Sequence, residues 1–165
     1  MREISFMNLR AQNNALRDEI IAAFENVLDS GLYVSGKNVE LFERSFSHAH
    51  NSNYAIGCNS GTSAIEIILR TLGLGPGDEV IIPAMTFVAT MEAVVAVGAT
   101  PVLVDVDLIT WNLSIDSAKR AISVRTKAMI FVHLHGSAVG INEAKDFCNF
   151  NKIKIIYKKR YILVN

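Results

Sequence analysis

The sequence predicts an α/β protein whose mostly parallel sheet has helices on both faces. Short apolar runs typical of buried strands alternate with segments whose apolar residues recur at helical spacing, and turn-forming glycines and prolines separate them. Repeated strand–helix–strand units imply parallel strands joined by right-handed crossovers. The apolar fraction of 50% over 165 residues agrees with this prediction, because parallel strands covered on both faces form continuous apolar runs.

The first fifty residues are predicted to form a separate helical segment (1–50). Apolar residues recur at helical spacing over 13–28, and Gly31 follows as a suitable stop. A polar turn at 34–37 leads to a second predicted helix with apolar residues along one side.

Strands and helices then alternate over a predicted large domain (51–156). We expect five strands, at 54–58, 79–82, 101–106, 127–134 and 152–157, and helices at 62–72, 87–97 and 141–151. A further helix, capped by Ser114 or Asp116, is expected to run to about residue 122. The last residues, 157–165, follow a buried-type strand without a clear turn or cap, so that a frayed terminus is expected there.

Charge and hydropathy exclude two classes of partner. With 16 basic and 16 acidic residues, the chain lacks the positive charge that holds nucleic acid. The most apolar stretch, 84–104, contains Glu92 and Pro101, so we expect no membrane span. The start of the chain has no apolar signal core, which predicts a cytoplasmic protein. Cys58 and Cys148 are then expected to be buried free thiols.

A candidate anion site lies between the first predicted strand and its helix. Gly61 allows close approach of the backbone, and Thr62 and Ser63 add hydroxyls where the first amides of a helix are free. These amides and the helix dipole favour phosphate. The alternative is an ordinary capped helix start, since Ser and Thr are preferred there in any case.

A second segment between a strand and a helix contains Phe87. Its ring is either a platform for a planar ligand or a core side chain, which is the commoner role of phenylalanine. His133 and His135 share one strand face, but no nearby acidic residue or cysteine completes a metal site. Asp105 and Asp107 are expected to open a loop.

These stretches resemble the DegT/DnrJ/EryC1/StrS family of pyridoxal phosphate (PLP) dependent aminotransferases. The order and spacing of the matching blocks make the resemblance specific over roughly residues 4–156. It implies the N-terminal part of the large domain of a fold type I PLP-dependent transferase. The blocks are DSGLYVSG (29–36), VELFE (39–43), CNSGTSAI (58–65), LGLGPGDEVIIPAMTFVAT (72–90), GATPVLVDVD (98–107) and FVHLHG (131–136).

The resemblance also implies residue roles. The turn at 61–63 corresponds to the cup for the PLP phosphate, and Phe87 to the residue that stacks on the pyridine ring. Tyr33 and Ser35 correspond to a loop near the substrate, often across the interface of a family homodimer. The implied reaction moves an amino group, from glutamate, to a nucleotide-linked keto-sugar in deoxyamino-sugar and cell-surface polysaccharide biosynthesis.

Two features of the family pattern are missing. In the family, the strand equivalent to 153–156 precedes a Glu-Asp pair whose Asp keeps the pyridine nitrogen protonated, so that the ring acts as an electron sink. Here Tyr157 and Lys158 stand in those positions, and a lysine would repel a protonated ring. The family's Schiff-base lysine and small C-terminal domain have no counterpart in the sequence, so no catalytic residue is assigned.

We therefore interpret 157–165 as a non-family tail left by a frameshift or truncation. A chain of this kind is expected to be inactive alone and, with part of its core cover missing, to misassemble or aggregate. Two other classes of function stay open. One is a stand-alone phosphate- or nucleotide-binding α/β module, and the other is a non-catalytic partner of an intact homologue.

Overall fold

The chain divides into two compact units, residues 1–57 and 58–165. A computed structural model describes residues 8–158 and the backbone of 162–164. None of the described helices is both long and apolar enough to cross a membrane.

The first unit, described from residue 8 onwards, shows three helices: α1 (Leu9–Ala15), α2 (Arg17–Ser30) and α3 (Lys37–Ala49). The single helix predicted over 13–28 is divided at Leu16, whose backbone leaves the helical conformation. Gly31 ends α2 as predicted, since its φ of 63° is the left-handed conformation that glycine adopts without strain. The second predicted helix is confirmed by α3.

The strand predicted over 54–58 is wrong, because these residues pair with no described strand. A strand is stable only when a neighbouring backbone satisfies its amides and carbonyls. Instead, the Gly57 amide donates to Glu43 Oε1 at 2.6 Å. Tyr54 and Ile56 are 82% and 85% exposed, so this segment presents the apolar surface expected of an incomplete core.

The second unit contains one five-stranded sheet. Its strands are β1 (Glu79–Pro83), β2 (Thr100–Val104), β3 (Thr126–Val132), β4 (Lys154–Lys158) and β5 (Ile162–Val164). Their order in the sheet is β2-β1-β3-β4-β5, and the first four are parallel, which confirms the predicted class.

The fifth strand lies in the tail, where a frayed terminus was expected. Residues 157 and 158 continue β4, and β5 pairs with β4 in the antiparallel direction. The expectation of a frayed end is therefore wrong for 162–164. Strand β4 would otherwise expose one row of amides and carbonyls, and the apolar tripeptide 162–164 pairs with this edge.

Four helices cover the two faces of this sheet. Helices α4 (Gly61–Thr71) and α5 (Ala89–Ala96) bury residues such as Ile65, Leu69 and Val94 against one face. Helices α6 (Ile115–Ala121) and α7 (Ile141–Asn151) bury residues such as Ala118 and Phe147 against the other. The central strands β1 and β3 are buried almost throughout, which explains their continuous apolar runs.

Candidate cofactor site

The start of α4 is open to solvent. Ser60 caps the helix, as its Oγ accepts from the Ser63 amide at 3.1 Å and its carbonyl accepts from the Ala64 amide at 3.0 Å. The amides of Gly61 and Thr62 reach no acceptor among the described residues. A Cβ placed on Gly61 would meet no atom within 4 Å. An anion therefore has room to approach two free amides there.

The start of α5 carries an exposed aromatic ring. Phe87 is 72% exposed, and its carbonyl accepts from the Thr90 amide at 3.0 Å. The interpretation of Phe87 as a core residue is thus wrong, as is the prediction that helix α5 begins at residue 87. Because β1 ends at the buried Pro83, a short connection must precede the helix, and this connection turns Phe87 outward.

Both helix starts lie at the carboxyl edge of the sheet. Helix α5 follows the carboxyl end of β1 directly. Helices α4 and α5 pack side by side in the same direction, since Arg70 Nη2 near the end of α4 donates to the Ala96 carbonyl at the end of α5, at 3.0 Å. Ligands of open α/β sheets bind at this edge.

Lys158 ends β4 at the same edge. Its Nζ donates to Thr90 Oγ1 at 2.5 Å, and Thr90 Oγ1 is 3.0 Å from Thr86 Oγ1. Thr90 is fully buried, whereas Lys158 is partly exposed. Burial lowers the pKa of the Lys158 ammonium from its ordinary value. Sequence reasoning treated Lys158 only as a misplaced charge, although its position at the carboxyl end of a parallel strand also marks it as a site residue.

The opposite face of the sheet holds a second set of buried polar side chains. The His133 ring contacts the rings of Phe131 and Tyr157. Burial raises the pKa of Tyr157 to about 12 and that of Cys148 to about 12. Tyr157 Oη is buried without a hydrogen-bond partner among the described groups.

The remaining candidates have other environments. Cys148 is a buried thiol as expected, but Cys58 is exposed, which corrects the second half of that prediction and follows from the missing strand at 54–58. Within the described residues, no three His, Cys, Asp or Glu side chains are grouped so that they could hold a metal, and His135 is exposed. Asp107 Oδ1 accepts two amide hydrogen bonds and one hydroxyl hydrogen bond within its own loop, and these lower its pKa.

Tyr33 and Ser35 belong to the first unit. Both are exposed, in the connection between α2 and α3. Ser35 has a φ of 52°, a left-handed conformation that a non-glycine residue adopts at a small energetic penalty. The connection is therefore a defined turn that presents both hydroxyl groups to solvent.

The fold is that of an open α/β protein, and comparison with known proteins identifies its family. Residues 14–157 match the model of the DegT/DnrJ/EryC1/StrS aminotransferase family. The chain belongs to this family, whose members are PLP-dependent aminotransferases.

Among its relatives is the UDP-N-acetyl-3-dehydro-α-D-glucosamine 3-aminotransferase of Acidithiobacillus ferrooxidans. The two are 44% identical over 133 residues, which is 81% of this chain and 36% of the relative. Further relatives also act on nucleotide-linked sugars by their names. The chain thus spans about two fifths of the length of the relatives it matches.

Solved structures of fold type I PLP aminotransferases superpose on this chain, which agrees with the family assignment. DesV of S. venezuelae, in complex with a ketimine intermediate, superposes with a TM-score of 0.91 and 38% identity, covering 95% of this chain and 42% of DesV. NtdA of Bacillus subtilis, with bound pyridoxamine phosphate, superposes with a TM-score of 0.86 and 38% identity, covering 94% of this chain and 37% of NtdA.

The described residues fit part of the PLP molecule. The open start of α4 suits a phosphate, because Gly61 leaves space beside free amides. The exposed ring of Phe87 suits an aromatic ligand. Lys158 does not suit a protonated pyridine ring, because neither its amine nor the neutral hydroxyl of Thr90 supplies the negative charge that keeps the ring nitrogen protonated.

Proposed function

We propose that this chain is the cofactor-binding N-terminal part of a nucleotide-sugar aminotransferase, with the PLP phosphate at Gly61, Thr62 and Ser63 and the ring on Phe87. The observation that carries the proposal is the open start of α4, with two free amides and no side chain over Gly61. When bound, PLP supplies an electron sink for the carbon that carries the amino group. The chain's own residues bind and orient the cofactor.

The proposal extends to the substrates. The relatives' names support a nucleotide-linked keto-sugar as the acceptor, and we take glutamate as the amino donor. Tyr33 and Ser35 would contact the sugar nucleotide, since both lie on an exposed turn. We also propose a homodimer as the assembly of the full-length enzyme. A cytoplasmic location agrees with the two free cysteines.

We further propose that the chain alone does not transfer amino groups. Lys158 stands where the resemblance places a carboxylate, and its neighbour Thr90 carries no charge to compensate. The protonated form of a pyridine ring would therefore gain no stabilisation from a negative charge at this end of the site. The expected result is cofactor binding without turnover when glutamate and a UDP-linked 3-keto-sugar are supplied.

The proposal is tested by substituting Gly61→Ala. The added methyl meets no protein atom, and the residue lies in the first turn of α4, so stability should stay the same or rise slightly. The methyl would occupy the space through which a phosphate approaches the amides. We expect the affinity for PLP, measured by equilibrium dialysis, to fall about tenfold or more.

A matched control is Thr71→Ala at the other end of α4, where the hydroxyl bonds only to the Ile67 carbonyl. This variant should keep the wild-type affinity. Equal affinities of wild type and Gly61→Ala would contradict the phosphate site. Equal binding of PLP and inorganic phosphate would favour the stand-alone phosphate-binding module instead, and co-purification with an intact aminotransferase would favour the non-catalytic partner.

A further inference from the structure

Lys158 differs from the other described lysines in its surroundings. Its ammonium group is partly buried at the carboxyl edge and bonds to the fully buried Thr90 hydroxyl. No described carboxylate forms an ion pair with it, whereas Lys119 pairs with Asp116. A buried cation without a counter-ion favours loss of its proton.

The position of Thr90 adds a second effect. Thr90 lies in the first turn of α5, and its hydroxyl holds Lys158 Nζ beside the start of that helix. The amino end of a helix carries partial positive charge, which repels an ammonium group and favours the neutral amine. Burial and the helix dipole therefore act on Lys158 in the same direction.

The charged side chains of the neighbouring elements do not offset the effects of burial and of the helix dipole on Lys158. On α4, Glu66 forms an ion pair with Arg70 at 2.8 Å. On α5, Glu92 is exposed. The His133 ring packs against Tyr157 on the opposite face of the sheet. The lowered pKa of Lys158 has burial as its cause, with no charged neighbour contributing.

We propose that Lys158 is a carbonyl-reactive amine, which condenses with an aldehyde ligand at the carboxyl edge of the sheet. The neutral amine nitrogen attacks the aldehyde carbon, the carbonyl oxygen leaves as water, and a carbon–nitrogen double bond forms. A neutral, partly desolvated amine is the nucleophile that this step needs. The exposed ring of Phe87, in the same turn as Thr90, favours an aromatic aldehyde.

This site goes beyond the proposed function, which assigns no reactive amine to the chain. Formation of the double bond requires only Lys158 and the aldehyde, whether or not a phosphate is held at Gly61. It does not by itself transfer an amino group.

The test treats the full 165-residue chain with pyridoxal 5′-phosphate or with pyridoxal, followed by borohydride. Hydride reduces the double bond to a stable secondary amine, which peptide mass spectrometry assigns to one lysine and distinguishes from the adjacent Lys159. We expect labelling at Lys158 to exceed labelling at the exposed Lys154 of the same strand severalfold. The excess should grow as the pH is lowered towards neutrality, because burial favours the neutral, reactive form of Lys158.

Two variants make the result specific. Lys158→Arg keeps the charge but cannot form the double bond, so the dominant label should disappear. Lys154→Arg should leave it unchanged. Labelling spread over the exposed lysines, or a dominant label that survives Lys158→Arg, would overturn the inference.

The two aldehydes separate this inference from the proposed function. Equal labelling of Lys158 by both would support the reactive amine and argue against the phosphate site. Binding of pyridoxal 5′-phosphate that weakens in Gly61→Ala, without labelling of Lys158, would support the phosphate site and overturn the reactive amine.

Discussion

Each end of the parallel sheet holds an ionisable side chain that is buried or partly buried, but only one of the two has an oppositely charged partner among the described residues. At the amino end, Glu79 is 6% exposed and accepts hydrogen bonds from Ser123 Oγ at 2.5 Å and Arg125 Nε at 2.8 Å. At the carboxyl end, the Lys158 ammonium bonds to one described group, the uncharged hydroxyl of Thr90.

A lowered pKa has opposite meanings at these two ends. The Ser123 hydrogen bond, followed by the one from Arg125, lowers the pKa of Glu79, so the fold favours its charged form. Burial lowers the pKa of Lys158, so the fold favours its neutral form. A buried charge with an oppositely charged partner stabilises the sheet. An amine without such a partner loses its proton more easily and is then more reactive, and here it lies at the edge where ligands bind.

The largest expected effect is at the amino end. Glu79→Ala leaves the Ser123 hydroxyl and the Arg125 guanidinium without their acceptor, and should lower the free energy of unfolding by about 3 kcal/mol. Urea denaturation of wild type and variant measures it. Glu66→Ala, which breaks the exposed pair with Arg70, should lower the free energy of unfolding by only about 0.5 kcal/mol. Similar losses in both variants would remove the contrast between a buried and an exposed carboxylate.

Acid should remove part of the stabilisation that the Glu79 carboxylate gives to the fold. Because the pKa of Glu79 is lower in the folded state than its ordinary value of 4.5, its contribution is complete above pH 4.5 and is lost as the pH falls through the folded pKa. Denaturation curves recorded between neutral pH and the acid range should show a steeper loss in wild type than in Glu79→Gln. Parallel pH profiles would show that the carboxylate is not specifically stabilised.

A smaller effect, of opposite sign, is expected beside Lys158. Tyr157 Oη is buried without a hydrogen-bond partner among the described groups, so Tyr157→Phe should raise the free energy of unfolding by about 1 kcal/mol. Thermal and urea denaturation measure the change. Destabilisation of this variant would indicate that the hydroxyl has a partner, such as a bound water.

The smallest effect is expected for Lys158→Met. As the pH rises from the folded pKa of Lys158 towards the ordinary value of 10.5, the unfolded state keeps a proton that the folded state has released, so wild type gains stability relative to the variant. At neutral pH the variant should be more stable by about 0.5 kcal/mol, because an uncompensated charge is removed.

Two other groups, whose pKa is raised in the fold, also change the stability at alkaline pH. Only the difference in stability between wild type and Lys158→Met therefore reports on Lys158. Cys148 and Tyr157 keep their protons to about pH 12 in the fold, so unfolding is favoured above their ordinary values of 9.0 and 10.0. Both remain in Lys158→Met, and their contribution cancels in the difference. A difference in stability that does not shrink between neutral pH and 10.5 would contradict the titration of Lys158.

The spacing of apolar residues and the positions of turn residues were sufficient to predict most helices and strands of the second unit. The helix predicted over 141–151 is α7 with the same bounds, because its apolar spacing and the flanking Gly140 agree with each other. The four parallel strands were predicted within a few residues, since each is a continuous apolar run between turns. The turn at 61–63 and Phe87 were selected from predicted strand–helix junctions, and the structure leaves Gly61 and Phe87 exposed, while their roles in ligand binding stay predictions.

Pairing and orientation could not be predicted from local pattern. Residues 54–58 have strand-like composition but pair with no described strand, whereas 162–164, an apolar tripeptide in a tail where no strand was predicted, pair with β4. Whether Phe87 faces the core or solvent depends on where α5 begins, which is decided by the length of the connection after β1.

The amino-acid sequence by itself determined the fold class, most of the succession of strands and helices in the second unit, and the family, because these depend on the spacing of apolar residues and on short motifs along the chain. The tertiary structure alone decided that Lys158 meets Thr90, 68 residues earlier in the chain, and that Glu79 meets Arg125. Charge compensation depends on distances across the sheet, and such distances exist only after strands and helices have packed.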